Sequence, residues 1–273
     1  MLYNVLVSAA AIIGGLIAAF LSEAYLTALE RNSPLFSPVC CLACGREREF
    51  WDRVPLLSWL LNGGKCRFCG AALSTREPLL SLLHIALWPV ALQLWLPYGA
   101  VWALLVMVSL SCLLCAAGIC WIGGEEKPAL LPFALCVSAA GVIIGDGLGF
   151  QAHLFGALGA LCFCLLLRCL PERLLGGERL RLDTLCYVTC TGLLIGWRSS
   201  FLLLPGAVAV GLLFSLMNRK KQRSRNQGPE ERFSDLRKGR LSPSLCITGG
   251  AVLALVFGRV LMDLYLRLFL QIG

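Results

Sequence analysis

Eight long apolar runs, at roughly 5–28, 79–97, 100–121, 129–146, 152–170, 184–198, 200–217 and 244–268, constrain this chain more than any other feature. Lipid offers no hydrogen-bond partner to a peptide group, so a segment that crosses it must satisfy its own backbone as a helix. Some of the runs fall short of the ~20 residues that a span needs. Their ends are then sheltered by neighbouring protein or by snorkelling side chains. The first run is too long for the apolar region of a signal peptide and lacks a small-residue cleavage site, so it reads as the first span. With 58% of its 273 residues hydrophobic, the chain reads as a polytopic membrane protein, partnered by the lipid bilayer.

Charge sets the predicted orientation. The polar segments 29–78, 122–128, 168–183 and 218–243 hold 7, 1, 4 and 9 Lys and Arg, which is 21 of the 24. These are alternate loops, and the excess of basic residues places them all in the cytoplasm, with both termini outside. The net charge of +8 therefore reports topology, and nucleic acid is not an expected partner. A transporter would need polar groups or broken helices at mid-membrane, and the spans hold almost none. The organisation read from these runs is a first helix (1–28), a cytoplasmic insert (29–78), a bundle (79–217), a basic loop (218–243) and a last helix (244–273).

Of fifteen cysteines, ten lie in or beside apolar runs, where a thiol is small apolar filler. The other five lie in the insert. Cys41-Leu-Ala-Cys44 and Cys66-Arg-Phe-Cys69 form two CxxC pairs with 21 residues between them. One such turn brings two thiolates to an ion and two turns complete a tetrahedral site, so the spacing predicts structural zinc. Gly45 and Gly70 follow the pairs and permit the tight turn behind the ligands. Disulfides do not suit a reducing compartment, and a redox CxxC needs only one pair. Cys40 is expected to stand outside the ligand set, although a shift of register would exchange it with Cys41. The predicted fold is thus all-α, about eight transmembrane helices with a cytoplasmic zinc-knuckle insert.

The run "WDRVPLLSWLLNGGKCRFCGAALSTREPL" at 51–79, with Phe20-Leu21, the first CxxC and the next apolar span, resembles the prepilin peptidase family. The resemblance is dense over roughly 15–90 and beyond that is mainly architectural, with Gly196-Trp197 and Ser242-Pro-Ser-Leu245 in addition. It implies a membrane aspartic endopeptidase of the bacterial inner membrane. Such an enzyme cleaves the leaders of type IV pilin-like or type II secretion pseudopilin precursors, whose own helix docks among the spans. It further implies that members methylate the new N-terminal amine with S-adenosylmethionine, for which no separate motif is visible here.

The chemistry implied by the resemblance is two aspartates that share a water, one protonated while the other acts as base. This sequence departs from both motifs. In "AAGICWIGGEEKPALLP" the first expected aspartate is Trp121 or a neighbour, and the carboxylates available in loop 122–128 are Glu125 and Glu126. For the second, "LLGGERLRLDTL" in loop 171–183 offers Asp183, without glycines at 180 and 182 and with Leu185 in place of lysine. Asp183 fits a catalytic carboxylate and a helix N-cap equally well. Asp146 reads as turn chemistry, His84 as a hydrogen-bonded bundle residue, and Glu23 as a carboxylate snorkelling to the membrane edge. The competing reading is a catalytically degenerate member that holds pilin-like helices without cleaving them.

Overall fold

A computed structural model describes residues 2–31, 40–41, 43–49, 55–73, 75–122, 130–144, 149–169, 180–223 and 243–269. Among them the regular structure is helical: α1 (Leu2–Arg31), α2 (Pro55–Leu61), α3 (Arg76–Trp95), α4 (Ala100–Ile122), α5 (Leu131–Ile144), α6 (Phe150–Cys169), α7 (Leu182–Ser200), α8 (Leu203–Arg223) and α9 (Pro243–Phe269). The chain divides into two compact units, Met1–Glu125 and Glu126–Gly273.

In the first unit α1 packs on α3, and α3 on α4. Small residues set the approach. A Cβ at Gly14 would run into the Trp88 ring, and one at Gly15 would lie 3.0 Å from the Ile85 Cα, so only glycines let α3 close on α1 here. Gln93 Nε2 donates to Ser8 Oγ at 3.2 Å. The Gly15–Ile85 and Ser8–Gln93 pairs run in opposite directions along the chain, so the two helices are antiparallel. A short 3₁₀ turn, Leu96–Tyr98, and Gly99 at φ 124° reverse the chain into α4. Trp88 Nε1 donates to Ser111 Oγ at 3.1 Å and ties α3 to α4. Ala103, Val106 and Leu110 of α4 are completely buried. Glu23 is also buried inside this unit, at 6% exposure, and does not snorkel to an edge as expected.

In the second unit α7 packs against α5, α6 and α9, and α9 against α8. Glycine again sets the distance. A Cβ at Gly192 would stand 2.6 Å from the Gly156 carbonyl oxygen and 2.8 Å from Ala160 Cβ, so α6 and α7 meet almost backbone to backbone. Gly196, at φ 73° and ψ 173°, interrupts α7. A break of this kind deprives the preceding carbonyls of their helical partners. His153 Nδ1 donates to one of them, Leu193 O, at 3.0 Å, and a turn earlier Ser138 Oγ donates to Cys190 O at 2.8 Å.

Each predicted apolar run coincides with a helix, but the lengths differ. Five helices are long and apolar enough to cross a membrane: Leu2–Tyr25, Pro78–Tyr98, Ala100–Trp121, Phe150–Cys169 and Pro243–Leu268. The apolar stretches Leu131–Ile144, Leu182–Trp197 and Leu203–Leu213 are shorter. At 1.5 Å per residue they reach about 16–24 Å against a hydrocarbon core of about 30 Å. The chain is a multi-pass membrane protein. Asp146 lies outside the described residues.

Candidate metal centre and candidate catalytic carboxylates

The two CxxC pairs fold into matching knuckles, offset by 25 positions (66 − 41). In the first, Cys41 N–H donates to Arg46 O at 2.8 Å and Gly45 N–H to Cys41 O at 2.8 Å. In the second, Cys66 N–H donates to Ala71 O at 2.8 Å and Gly70 N–H to Cys66 O at 2.9 Å. Isolated antiparallel bridges, Cys40 to Glu47 and Lys65 to Ala72, close the two turns at equivalent positions. Gly45 and Gly70 stand at φ 69° and 70°, with nothing within 4 Å of where a Cβ would be. Their need is for the left-handed backbone and not for space.

The knuckles bring Cys41, Cys44, Cys66 and Cys69 together, their four sulfurs all within 4.8 Å of one another. Cys41 Sγ and Cys69 Sγ are 3.8 Å apart. A tetrahedron with metal–sulfur bonds of about 2.3 Å has edges of about 3.8 Å, so the donor set fits a metal such as zinc. All fifteen cysteines are free thiols. Cys40 stands outside the sulfur cluster, and its position corresponds to Lys65 in the second knuckle.

The electrostatics of the cluster also suit a cation. The backbone N–H groups of Cys44 and Ala43, aimed at Cys41, bring its thiol down from 9.0 to about 6. At Cys69 the Ala71 N–H acts in the same direction, but desolvation and the thiols of Cys66, Cys44 and Cys41 raise it to about 11. The Cys41 thiolate thus forms readily, whereas Cys69 resists ionisation. A divalent cation would remove that resistance.

Asp183 lies in the first turn of α7, its carboxylate 1% exposed. Its Oδ1 accepts from Thr184 N–H at 2.7 Å and from Arg181 Nε at 3.2 Å. Its Oδ2 accepts from Arg181 NH2 at 3.1 Å. The aspartate therefore serves a first-turn amide, as a cap would, while a planar guanidinium holds both of its oxygens. The segment before α7 is pinned too: Arg181 N–H donates to Ser244 Oγ of α9 at 3.0 Å, and Arg168 of α6 donates to Leu180 O at 2.7 Å. Sequence reasoning counted Arg181 as loop charge and missed it as the partner of Asp183. The available signal was an arginine two residues before a carboxylate at a helix start. Glu125 and Glu126 lie outside the described residues.

Neither histidine joins a metal cluster among the described residues. A carbonyl only accepts, so the contacts of His84 Nδ1 with Leu80 O and of His153 Nδ1 with Leu193 O, both 3.0 Å, place the proton on Nδ1 in each ring.

Comparison with known proteins bears on the same regions. The family described as the bacterial peptidase A24 N-terminal domain matches residues 12–95, which include α1, both knuckles, α2 and α3. The chain is 27% identical over 194 residues to a prepilin leader peptidase/N-methyltransferase of Burkholderia pseudomallei, covering 69% of this chain and 60% of that protein. It is 30% identical over 192 residues to one of Aeromonas salmonicida, covering 68% and 64%. Over 79 residues it is 42% identical to the type 4 prepilin-like proteins leader peptide-processing enzyme of an Escherichia coli strain, covering 29% and 28%. The chain spans about 60% of the length of the first of these relatives. No solved structure matches it.

Proposed function

We propose that this chain, which belongs to the prepilin peptidase family, is an inner-membrane endopeptidase. Its substrates are the leaders of type IV pilin-like or type II secretion pseudopilin precursors. The observation that carries the reading is the four-cysteine cluster, folded between α1 and α3 inside the segment that matches the family. Zinc held by Cys41, Cys44, Cys66 and Cys69 would fix the two knuckles together. Four thiolates fill a tetrahedral ion, so this metal is structural and takes no part in cleavage.

In this reading the peptide bond is cut by Asp183 with Glu125 or Glu126. One carboxylate takes a proton from water, which attacks the scissile carbonyl, and the other, protonated, gives its proton to the departing amine. The amine so released is the group that an S-adenosylmethionine-dependent step would methylate, and no residue here is assigned to that step. The basic loops face the cytoplasm and both termini lie outside.

A second reading has a specific observation in its favour. Both oxygens of Asp183 are committed to Arg181 and the carboxylate is buried, as suits a structural ion pair in a scaffold that binds pilin-like helices without cutting them. Co-expression with a pilin-like precursor, followed by mass spectrometry of the precursor's N-terminus, separates the two. The peptidase reading expects a leader-free N-terminus that disappears in Asp183→Asn and in the Glu125→Gln/Glu126→Gln double variant. A precursor that stays whole while co-purifying with the wild type establishes the scaffold.

A further inference from the structure

The cysteine insert carries basic side chains that the proposed cleavage does not use. Beside the metal centre is a small cleft lined by its ligands Cys41 and Cys66 and by Arg46, Arg48, Lys65 and Arg67, with Ser58 of α2 and Phe68. Arg46 stacks over the Phe68 ring, 5.0 Å from its centroid. The described part of the insert has these four basic residues and two acidic ones, Glu47 and Glu49, and zinc on four thiolates would add −2, so the basic character is local to this face. Glu49 reaches Arg67 at 3.3 Å, with both side chains about 60% exposed, and such a pair is weak in water. Beside Ser58, α2 presents Leu57, Leu60 and Leu61 at 45%, 65% and 71% exposure, and Phe68 is 42% exposed. Positions i, i+3 and i+4 share one helical face, so the three leucines form a stripe next to the cationic cleft.

We propose that this face docks on the bilayer: Arg46, Arg48, Lys65 and Arg67 around the cleft pair with the phosphates of anionic lipid headgroups, and the leucine stripe of α2 enters the headgroup–acyl boundary. Three observations select lipid as the occupant. Four basic side chains surround the cleft, and phospholipid phosphates are anionic. Cations beside an exposed apolar stripe are the pattern of an interfacial segment. The insert is also tethered at the surface: α2 packs on α3, and only four residues separate Leu73 from the membrane-crossing stretch at Pro78. The five steps from Leu73 to Pro78 extend to at most about 17 Å, which keeps the second knuckle within reach of the headgroups. Each cation at an anionic surface contributes about a fivefold gain in binding. The insert then rests on the membrane as a plate around the ends of α1 and α3.

The test is hydrogen–deuterium exchange of the full-length, metal-loaded protein in nanodiscs, either of phosphatidylcholine alone or with about 30% phosphatidylglycerol. Docking slows exchange over 55–73 by about tenfold or more in the anionic discs, and about 0.5 M salt largely removes the difference. Arg46→Ser/Lys65→Ser and Leu60→Ser/Leu61→Ser each abolish it while metal content, the measure of a folded insert, stays at the wild-type level. Equal exchange in the two discs overturns the proposal. So does equal protection by inorganic phosphate in phosphatidylcholine discs, which would mark a soluble-anion site, and so does protection that the folded variants retain. None of these readouts depends on leader cleavage, so the peptidase reading stands or falls separately.

Discussion

Replacing Asp183 by Asn removes one charge and little else. The Asn Oδ1 still accepts the Thr184 N–H that Asp183 holds at 2.7 Å, so the first turn of α7 keeps its acceptor. What is lost is the two-point contact with Arg181, at 3.2 and 3.1 Å, because the Asn amide turns a donor toward a donor. Breaking a buried ion pair by removing one partner costs about 3–5 kcal/mol, mainly for the charge left behind. Arg181 keeps 14% exposure, which relieves part of that charge and places the expected loss near the lower end, about 3 kcal/mol. Arg181→Met/Asp183→Asn removes the stranded cation and recovers about 2 kcal/mol of the loss. Unfolding of the purified protein in mixed micelles, titrated with sodium dodecyl sulfate, measures both steps as a double-mutant cycle. An Asp183→Asn protein as stable as the wild type would falsify the buried pair. The cycle also isolates chemistry, because the double variant restores the fold but not the carboxylate. In a peptidase, cleavage stays absent in the double variant even though its stability returns.

Purified protein binds about one equivalent of metal. Cys66→Ser loses that metal and Cys40→Ser keeps it, by elemental analysis; stoichiometric metal in a Cys66→Ser/Cys69→Ser protein would remove the four-thiolate assignment. In the metal-free insert the Cys41 thiol stands at about 6 against 9.0 otherwise, so it is the last of the cluster to keep its charge as pH falls. A depressed thiol contributes its full stabilisation above pH 9 and loses it as pH falls through about 6. The ultraviolet absorbance of one thiolate in the metal-free protein should disappear with a midpoint near pH 6, and the same transition in Cys41→Ser contradicts this. Gly192→Leu forces α6 from α7, because even its Cβ would meet the Gly156 carbonyl at 2.6 Å, and costs about 1–3 kcal/mol or more. Gly159→Ala on α6, with nothing within 4 Å of its Cβ, instead gains up to about 1 kcal/mol in the same micelle titration.

The parts of this protein that were readable from sequence are those fixed by short-range spacing. A CxxC followed by glycine specifies both a pair of ligands and the left-handed turn behind them. Gly45, four residues after Cys41 as Gly70 is after Cys66, chooses Cys41 over Cys40 without any tertiary information. The apolar runs were readable because lipid and protein interior both demand a helix. For that same reason their hydropathy could not say which helices reach across a bilayer. Leu182–Trp197 is shorter than the other apolar runs suggested, and α7 is interrupted at Gly196, where the sequence shows only a Gly-Trp pair. Glu23 looked like a snorkelling carboxylate because burial inside the first unit depends on how α1 meets its neighbours.

The carboxylate chemistry was the least readable part, and the structure gives a physical reason. A catalytic water needs a carboxylate oxygen with an open lone pair and a path to it. Asp183 is 1% exposed, and Arg181 occupies both of its oxygens. A two-point guanidinium contact cannot be inferred from composition, in which Arg181 is one more basic residue of a polar loop. The backbone N–H of Arg181 is anchored to Ser244, and its guanidinium reaches Asp183. Oδ2 accepts from Arg181 and has a second lone pair. In the peptidase reading a docking substrate helix must open a path for water to that oxygen, which burial closes here. A scaffold needs no such path. The two readings thus differ in whether water reaches one buried carboxylate.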